Sequence, residues 1–149
     1  MRLSAEPSRD PGAYDFSHRV RVRFSETDAM GIVHHSRYLP YLESTRVEYL
    51  RHIGHPYTEN QAAGIDYAVL EQWIQYVRPL RFDDEVDVHM VVAGATRTTF
   101  EIAYLLTVGN EVRSIAVTVH GAVTSTGRPT RLPAWALSEQ RRSSEPFRP

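Results

Sequence analysis

One segment of this sequence has the spacing of a long amphipathic helix, and no second segment of that length exists. Between residues 35 and 53, apolar or small side chains recur every three or four residues, which places them on one helical face. Those side chains are Tyr38, Tyr41, Leu42, Thr45, Tyr49, Leu50 and Ile53. Ser36 is the predicted N-cap, and Gly54 followed by Pro56 ends the helix. Pro40 requires a bent first turn or a later start.

The rest of the ordered sequence has the alternating pattern of strands. From His18 onward, Val20, Val22 and Phe24 alternate with three arginines, which predicts a first strand with one solvent-exposed face. Four further strands are predicted after the helix, at about residues 65–77, 85–92, 100–106 and 112–123, the last two joined by a tight turn at Gly109-Asn110. The pattern therefore predicts an α+β domain in which an antiparallel five-stranded sheet wraps around one long central helix.

The chain is predicted to hold a single domain between two less regular ends. Residues 1–17 are polar and contain two prolines and a glycine, which predicts a flexible N-terminal arm. Residues 18–134 form the predicted domain, a length that can bury a real core. Residues 135–149 are the predicted C-terminal tail, with a short helix around residues 134–140.

Composition excludes several kinds of chemistry. The chain has no cysteine, and all 17 of its basic residues are arginines, which excludes thiolate zinc sites, cysteine nucleophiles and Schiff-base lysines. The net charge of −1 gives no general attraction to nucleic acid. No apolar run approaches the roughly 20 residues of a membrane span, and the start lacks the apolar core of a signal peptide. We therefore expect no nucleic-acid partner, no membrane insertion and a cytoplasmic location.

The densest group of reactive side chains lies at residues 25–36, between the first strand and the helix. A helix start offers unpaired N–H groups, which can stabilise the oxyanion of an acyl-transfer reaction. A nearby carboxylate can attack a carbonyl or activate water, so Asp28 and the N–H of His35 form a candidate catalytic pair. The alternative interpretation is structural: an Asp before a helix is commonly a cap or turn residue, and adjacent histidines commonly lie on the surface.

The same segment resembles the signature of the 4-hydroxybenzoyl-CoA thioesterase family of hotdog-fold proteins, especially the Tol–Pal-associated subgroup of short-chain acyl-CoA thioesterases. The matching residues are Thr27-Asp28, Gly31, Ile32-Val33, His35, Tyr38, Glu43 and Arg46. Tyr76-Val77-Arg78-Pro79 and Asp83-Asp84 match a later part of the family pattern. The resemblance covers residues 18 to 134 and implies a hotdog fold. Met30, bulkier than the family's usual residue, and Pro40 depart from the pattern.

The resemblance implies hydrolysis of an acyl-CoA thioester. We expect no metal or other cofactor, because cysteine is absent and a helix start disfavours convergence of Asp28, His34 and His35 on a metal. Asp28 would be the nucleophile or general base, the His35 N–H would polarise the thioester carbonyl, and Gly31 would permit a tight turn and close backbone approach. The predicted substrate-binding residues are His34, Tyr38, Arg78, Arg97 and Arg128, the arginines because a guanidinium suits the phosphates of CoA.

Two other functions remain open. Hotdog enoyl-CoA hydratases also use an Asp and a His a few residues apart, but they carry an Asn-Pro between them, where this chain has residues 30–33, Met-Gly-Ile-Val. A non-catalytic acyl-binding module would use Asp28 only as a turn residue. For assembly, we predict a homodimer or homotetramer, because one helix covers one sheet face and the sheet leaves an edge. The family resemblance implies that each site lies at a subunit interface.

Overall fold

The computed structural model describes residues 7–143, with side chains described up to residue 139. Five strands and three α-helices make up the fold. The strands are β1 (Phe16–Arg21), β2 (Asp66–Tyr76), β3 (Glu85–Ala95), β4 (Thr99–Val108) and β5 (Glu111–Val123). The helices are α1 (Tyr38–His52), α2 (Tyr57–Ala62) and α3 (Ala134–Ser143). Every predicted strand is present, and Gly109 and Asn110 form the predicted turn between β4 and β5.

The strands form one antiparallel sheet in the order β1-β3-β4-β5-β2, wrapped around α1. One face, called the inner face here, packs against the buried side of α1. Its side chains include Val86, Val88 and Met90 of β3 and Ile102, Tyr104 and Leu106 of β4. The buried residues of α1 are Tyr38, Tyr41, Leu42, Thr45, Tyr49 and Leu50, as the helical spacing predicts. The predicted sheet wrapped around one helix is confirmed.

Helix α1 begins at Tyr38, which agrees with the later start that Pro40 requires, but the predicted cap is wrong. Ser36 is not the cap: the ring Nδ1 of His34 accepts from the Ser36 N–H at 3.3 Å and bonds its hydroxyl at 2.8 Å. A 3-10 turn, His35–Arg37, then leads directly into α1. Pro40 is the third residue of α1, where a backbone N–H has no partner within the helix, so it costs no hydrogen bond. The predicted end is correct, since Gly54 adopts a φ of 82°.

The first strand also differs from its prediction. Strand β1 begins at Phe16 and ends at Arg21, and Val22 is buried just beyond it. Phe24 was predicted to point inward from this strand, but it lies in a separate 3-10 turn and is 76% exposed. The alternation continues in the sequence after the chain has left the sheet, so periodicity alone could not locate the end of β1.

The second face of the sheet, called the outer face here, carries apolar side chains that are buried within one chain. Five of its apolar side chains are at most 2% exposed within a single chain, namely Val91, Ala103, Leu105, Ile115 and Val117, whereas Trp73 on β2 is partly exposed. This part of the outer face is therefore covered within one chain, and the predicted homodimer or homotetramer stays a prediction. The limits of the three predicted regions stay a prediction, although the segment before β1 and helix α3 both make specific contacts. None of the helices within residues 7–143 is long and apolar enough to cross a membrane.

Candidate active site

A short closed loop before α1 carries Asp28. Thr27 and Val33 pair as an isolated antiparallel bridge, which closes the five residues between them into a tight loop. Within it, the Asp28 N–H donates to the Ile32 carbonyl at 2.9 Å, and the Gly31 N–H donates to the Asp28 carbonyl at 2.9 Å. The loop is fixed to the rest of the fold because the Val33 N–H donates to the Leu80 carbonyl at 2.8 Å. Asp28 is therefore held on a backbone whose shape is well defined.

Gly31 serves the loop through its backbone conformation. Its φ of 72° lies in the left-handed region that β-branched and bulky residues avoid. A Cβ built on Gly31 meets no atom of the chain itself within 4 Å, so the expected close backbone approach to a substrate stays a prediction. The tight turn that the sequence predicts is present.

The half-buried side chain of Asp28 has one occupied and one available oxygen. Its Oδ1 accepts a hydrogen bond from the Met30 N–H at 2.8 Å, the turn contact that the structural interpretation of Asp28 requires. No group among the described residues donates to the second oxygen, Oδ2. The turn contact and a chemical role are compatible, because the first orients the carboxylate and leaves Oδ2 for the second.

The N–H of His35 lies at the start of the turn that leads into α1. No described group accepts a hydrogen bond from it, whereas the next N–H groups are used by His34 and His35 themselves. Unpaired N–H groups at a helix start carry the positive end of the helix dipole. The His35 N–H is consequently free to donate to an oxyanion.

Asp28 and His35 line the same cleft, whose volume is about 360 Å³. One wall is the loop with the start of α1, and the other is the segment that leaves β2. The lining residues are Asp28, Met30, Ile32, Val33, His35, Tyr38, Tyr76, Val77, Arg78 and Pro79. At its base the rings of Tyr38 and Tyr76 pack edge to face, with centroids 4.9 Å apart. Burial raises the pKa of the Tyr38 hydroxyl, so Tyr38 remains a neutral hydrogen-bonding group at ordinary pH.

Arg78 supplies the positive charge of the cleft wall. Its guanidinium forms an ion pair with Glu111, which also pairs with Arg113 at 2.8 Å. Arg113 in turn donates to the Pro79 carbonyl at 2.6 Å, and the N–H groups of Val77 and Arg78 donate to its own carbonyl. This network ties the segment after β2 to β5 and keeps Arg78 beside the opening.

The structure does not bring every predicted site residue into the cleft. The His34 ring lies against the His35 ring at a tilt of 36°, with centroids 4.1 Å apart, and its Nδ1 is used in the contact with Ser36. Arg97 lies in the β3–β4 turn, and Arg128 lies in the turn after β5. Both turns are at the end of the sheet opposite the cleft. Within one chain, Asp28, His35, Tyr38 and Arg78 of the predicted set line the cleft, and Gly31 lies in the loop that carries Asp28. The other three residues lie outside the cleft.

Sequence reasoning missed the residues that hold the loop in place. Glu26 accepts from the Tyr41 hydroxyl at 2.5 Å and from the Arg23 N–H at 2.8 Å, and its carbonyl accepts from the His34 N–H. Burial, and next the Glu26 carboxylate, raise the pKa of Tyr41. No local pattern points to a contact across 15 residues. Tyr76 and Pro79, in contrast, belong to a motif that the sequence does display.

Within residues 7–143, no cluster of three or more His, Cys, Asp or Glu side chains is arranged to hold a metal ion. The polar groups that the cleft offers are one carboxylate, one unpaired N–H, two tyrosines, one guanidinium and the imidazole of His35. This set is suited to attack at a carbonyl carbon and to stabilisation of the oxyanion that results.

A sheet wrapped around one helix, with this cleft at the helix start, defines a protein of the hotdog class. A family model described as the thioesterase-like superfamily matches residues 22–140. This match covers most of the chain, which therefore belongs to the thioesterase-like superfamily.

Individual relatives agree with that assignment. A protein of Aquifex aeolicus is 42% identical over 91 residues, which are 61% of this chain and 71% of the relative. The acyl-CoA thioester hydrolase YbgC of Escherichia coli O6:H1 is 30% identical over 80 residues, or 54% of this chain and 60% of its own length. A crystal structure of a hypothetical protein from Aquifex aeolicus superposes with a TM-score of 0.80 at 36% identity, covering 85% of this chain and 99% of that one. The predicted hotdog fold and family are confirmed, whereas the Tol–Pal-associated subgroup stays a prediction.

Proposed function

We propose that this chain hydrolyses an acyl-CoA thioester to the free acid and CoA in the Asp28 cleft. The observation that carries the proposal is the pairing, in one cleft, of a carboxylate oxygen and a helix-start N–H that have no partner in the described chain. The name of the Escherichia coli relative supports an acyl-CoA substrate. The acyl group stays open, because aromatic and short aliphatic groups both suit a cleft with apolar and aromatic walls.

The proposed chemistry begins at the thioester carbonyl. The carbonyl oxygen accepts from the His35 N–H, and such a donor contributes about 3–4 kcal/mol to stabilisation of the oxyanion. Asp28 Oδ2 then acts in one of two ways. As a nucleophile it forms an acyl-aspartyl anhydride, CoA leaves as the thiolate, and water cleaves the anhydride to the acid. As a general base it takes a proton from the attacking water, and the thiolate leaves and is protonated.

Tyr38 and Arg78 have binding roles in this proposal. The Tyr38 ring packs under the acyl group, and Arg78 attracts a CoA phosphate at the rim. No metal or prosthetic group takes part, since a carboxylate and an N–H donor suffice for each step. Activity that a chelator abolishes and a divalent ion restores contradicts this part of the proposal.

The test is a panel of saturated, aromatic and α,β-unsaturated acyl-CoA esters, with thiol release and absorbance of the enoyl group followed in parallel. If the chain is a hydrolase, at least one saturated or aromatic ester should release free thiol and free acid in equal amounts. Loss of enoyl absorbance without thiol indicates a hydratase. Binding without either signal indicates an acyl-binding module. Either of the last two results overturns the proposal.

We also propose that two copies pair through β2 and share their sites. Within residues 7–143, strand β2 pairs only with β5, so its other edge is open there. Two large apolar side chains of β2 are exposed, Val69 at 51% and Leu70 at 55%. Antiparallel pairing of two such edges sets the Asp66 end of one strand beside the Tyr76 end of the other. That arrangement carries Arg97 and Arg128 of the partner subunit towards the cleft, which supports their predicted role with CoA.

A mixing experiment tests the shared site. The Asp28→Asn chain and the Arg97→Gln/Arg128→Gln chain are each assayed alone at low substrate and then after exchange of subunits. Shared sites predict that the mixture is more active than either variant, because each mixed dimer contains one intact site. Additive activities, or a light-scattering mass of one chain at full turnover, contradict the arrangement. Leu70→Glu should weaken the dimer, with Leu137→Glu on α3 as the matched exposed control.

A further inference from the structure

Residues 7–15, which we name the strap, lie against the outer face of the sheet. At one end Arg9 donates from Nη2 to the Gln75 side chain at 3.1 Å, and Gln75 is an outer-face residue of β2 opposite Ile115. At the other end the Tyr14 ring lies 6.1 Å from the ring of His89, an outer-face residue of β3. Between β2 and β3 stand β5 and β4, so the strap crosses three strand spacings of about 4.8 Å each.

The strap is internally bonded. The Tyr14 hydroxyl donates to the Ser8 carbonyl at 2.6 Å, the Asp10 N–H donates to the Ser8 hydroxyl at 3.1 Å, and Asp10 Oδ1 accepts from the Gly12 N–H at 2.9 Å. Pro7 is buried, and burial raises the pKa of Tyr14. These contacts give the strap a defined shape against the sheet.

The apolar residues under the strap have no other described cover. Helix α1 packs on the inner face, and α3 contacts inner-face residues such as Met90 and Ile102 around a cavity on that side. Helix α2 contacts Tyr67, which also belongs to the inner side. Without the strap, the outer face would present contiguous apolar side chains from β3, β4 and β5, and monomers rarely expose such patches.

We infer that the strap occupies the surface on which a second copy of this sheet would otherwise pack, and that it thereby limits assembly. An exposed sheet face with alternating apolar side chains is buried most simply against an identical face related by a two-fold axis. The strap fills that place from within the chain. The strap lies before residue 22, where the match to the thioesterase-like superfamily begins. The inference does not depend on the proposed reaction.

The test compares the mass of the full chain with that of a chain lacking residues 1–15, by light scattering at equal concentrations. We expect the truncated chain to have twice the mass of the full one. A chain lacking only residues 1–6 is the matched control and should keep the mass of the full chain. Unchanged mass in a truncated chain with native circular dichroism overturns the inference, and so does growth into polydisperse aggregates.

A second variant locates the new contact. Leu105→Lys places a charge at the centre of the outer face. In the truncated chain it should return the mass to that of the full chain, and a mass that stays doubled contradicts the assigned surface.

If the truncated chain does not fold, Arg9→Ala/Tyr14→Ala in the full chain loosens both ends of the strap. Faster amide exchange and proteolysis within residues 7–15, with a concentration-dependent doubling of mass, are then expected; unchanged mass with these signs of release overturns the inference.

Discussion

The two ends of α1 differ in how completely their polar groups are bonded. At the N-terminal end, the Asp28 Oδ2 and the His35 N–H have no described partner, and Met30 is 73% exposed. At the C-terminal end, the His55 N–H donates to the Leu50 carbonyl, and Asn60 joins the His55 carbonyl to the Tyr67 hydroxyl. The C-terminal end of α1 is packed and its polar groups are hydrogen-bonded, whereas the N-terminal end keeps polar groups available for a substrate. Stability and chemistry are therefore expected to respond to different substitutions.

The packed end should carry the larger share of stability. Leu50 is 6% exposed and belongs to a cluster with Tyr67, Ala122 and Leu132. Leu50→Ala should lower the free energy of unfolding by about 3 kcal/mol through lost burial and a residual cavity. Urea denaturation measures the change, and thioesterase kcat in native buffer should stay near that of the parent chain. Leu137→Ala, at a half-exposed position on α3, is the control with a small effect; equal losses at both positions contradict the comparison.

The open end should be sensitive to backbone strain. Gly31→Val places a β-branched residue at a φ of 72°, which costs about 1–3 kcal/mol if the turn is kept. A loop that relaxes instead displaces Asp28, and a shift of about 1 Å can lower turnover roughly 100-fold. Gly31→Asn is the matched control, because Asn tolerates the left-handed region. Steady-state kinetics of both variants should separate them by more than tenfold, and equal rates contradict a role for the turn.

A buried histidine should make stability depend on pH. His120 is fully buried and bonded through Nε2 to the Thr118 hydroxyl at 2.8 Å. Burial, with a smaller contribution from Arg46, lowers its pKa from 6.5 to about 3. The folded chain thus keeps His120 neutral where the unfolded chain binds a proton, so stability is lost as the pH falls below 6.5.

The expected loss from His120 is about 2 kcal/mol between pH 7 and pH 5. His120→Gln keeps a hydrogen-bonding group of similar reach and removes the titration. Urea denaturation of both chains at several pH values should give a shallower acid decline for the variant. Parallel declines exclude His120 as the source.

The smallest effect concerns charge at the cleft rim. Arg78→Gln should raise the KM for acyl-CoA about fivefold, equivalent to roughly 1 kcal/mol for an exposed charged contact. The substitution also removes the ion pair between Arg78 and Glu111. The free energy of unfolding should change little, because that pair is exposed. Arg51→Gln is matched in chemistry, because Arg51 forms an exposed ion pair with Glu48 near the other end of α1. A KM that changes equally in both variants shows that Arg78 has no particular contact with CoA.

The sequence predicts the strands and the C-terminal end of α1 better than the N-terminal end of α1. Clean alternation placed β4 and β5, and Gly54 with its positive φ marked the end of α1. The cap was mispredicted because a histidine ring nitrogen, rather than a serine hydroxyl, caps the 3-10 turn that leads into α1. Propensity rules favour Ser at that position and carry no information about the ring contact between His34 and His35.

The site was only partly predictable for a different reason. Asp28, Gly31 and His35 are close in sequence, so local spacing and family resemblance suffice to group them. Arg97 and Arg128 were grouped with them by chemistry alone, and which end of a sheet a turn occupies depends on strand order. The strap was predicted only as a loose arm, because its contacts with Gln75 and His89 join residues far apart in the chain.

Asp28→Asn gives the most direct test of the account. The amide fits the same turn and can still accept from the Met30 N–H, but it can neither attack the thioester nor take a proton. Thiol release from a good acyl-CoA substrate should fall at least about 100-fold in kcat. The melting temperature and the substrate affinity, measured by calorimetry, should stay close to those of the parent chain. Comparable turnover in the two chains contradicts the claim that the Asp28 carboxylate performs the chemistry.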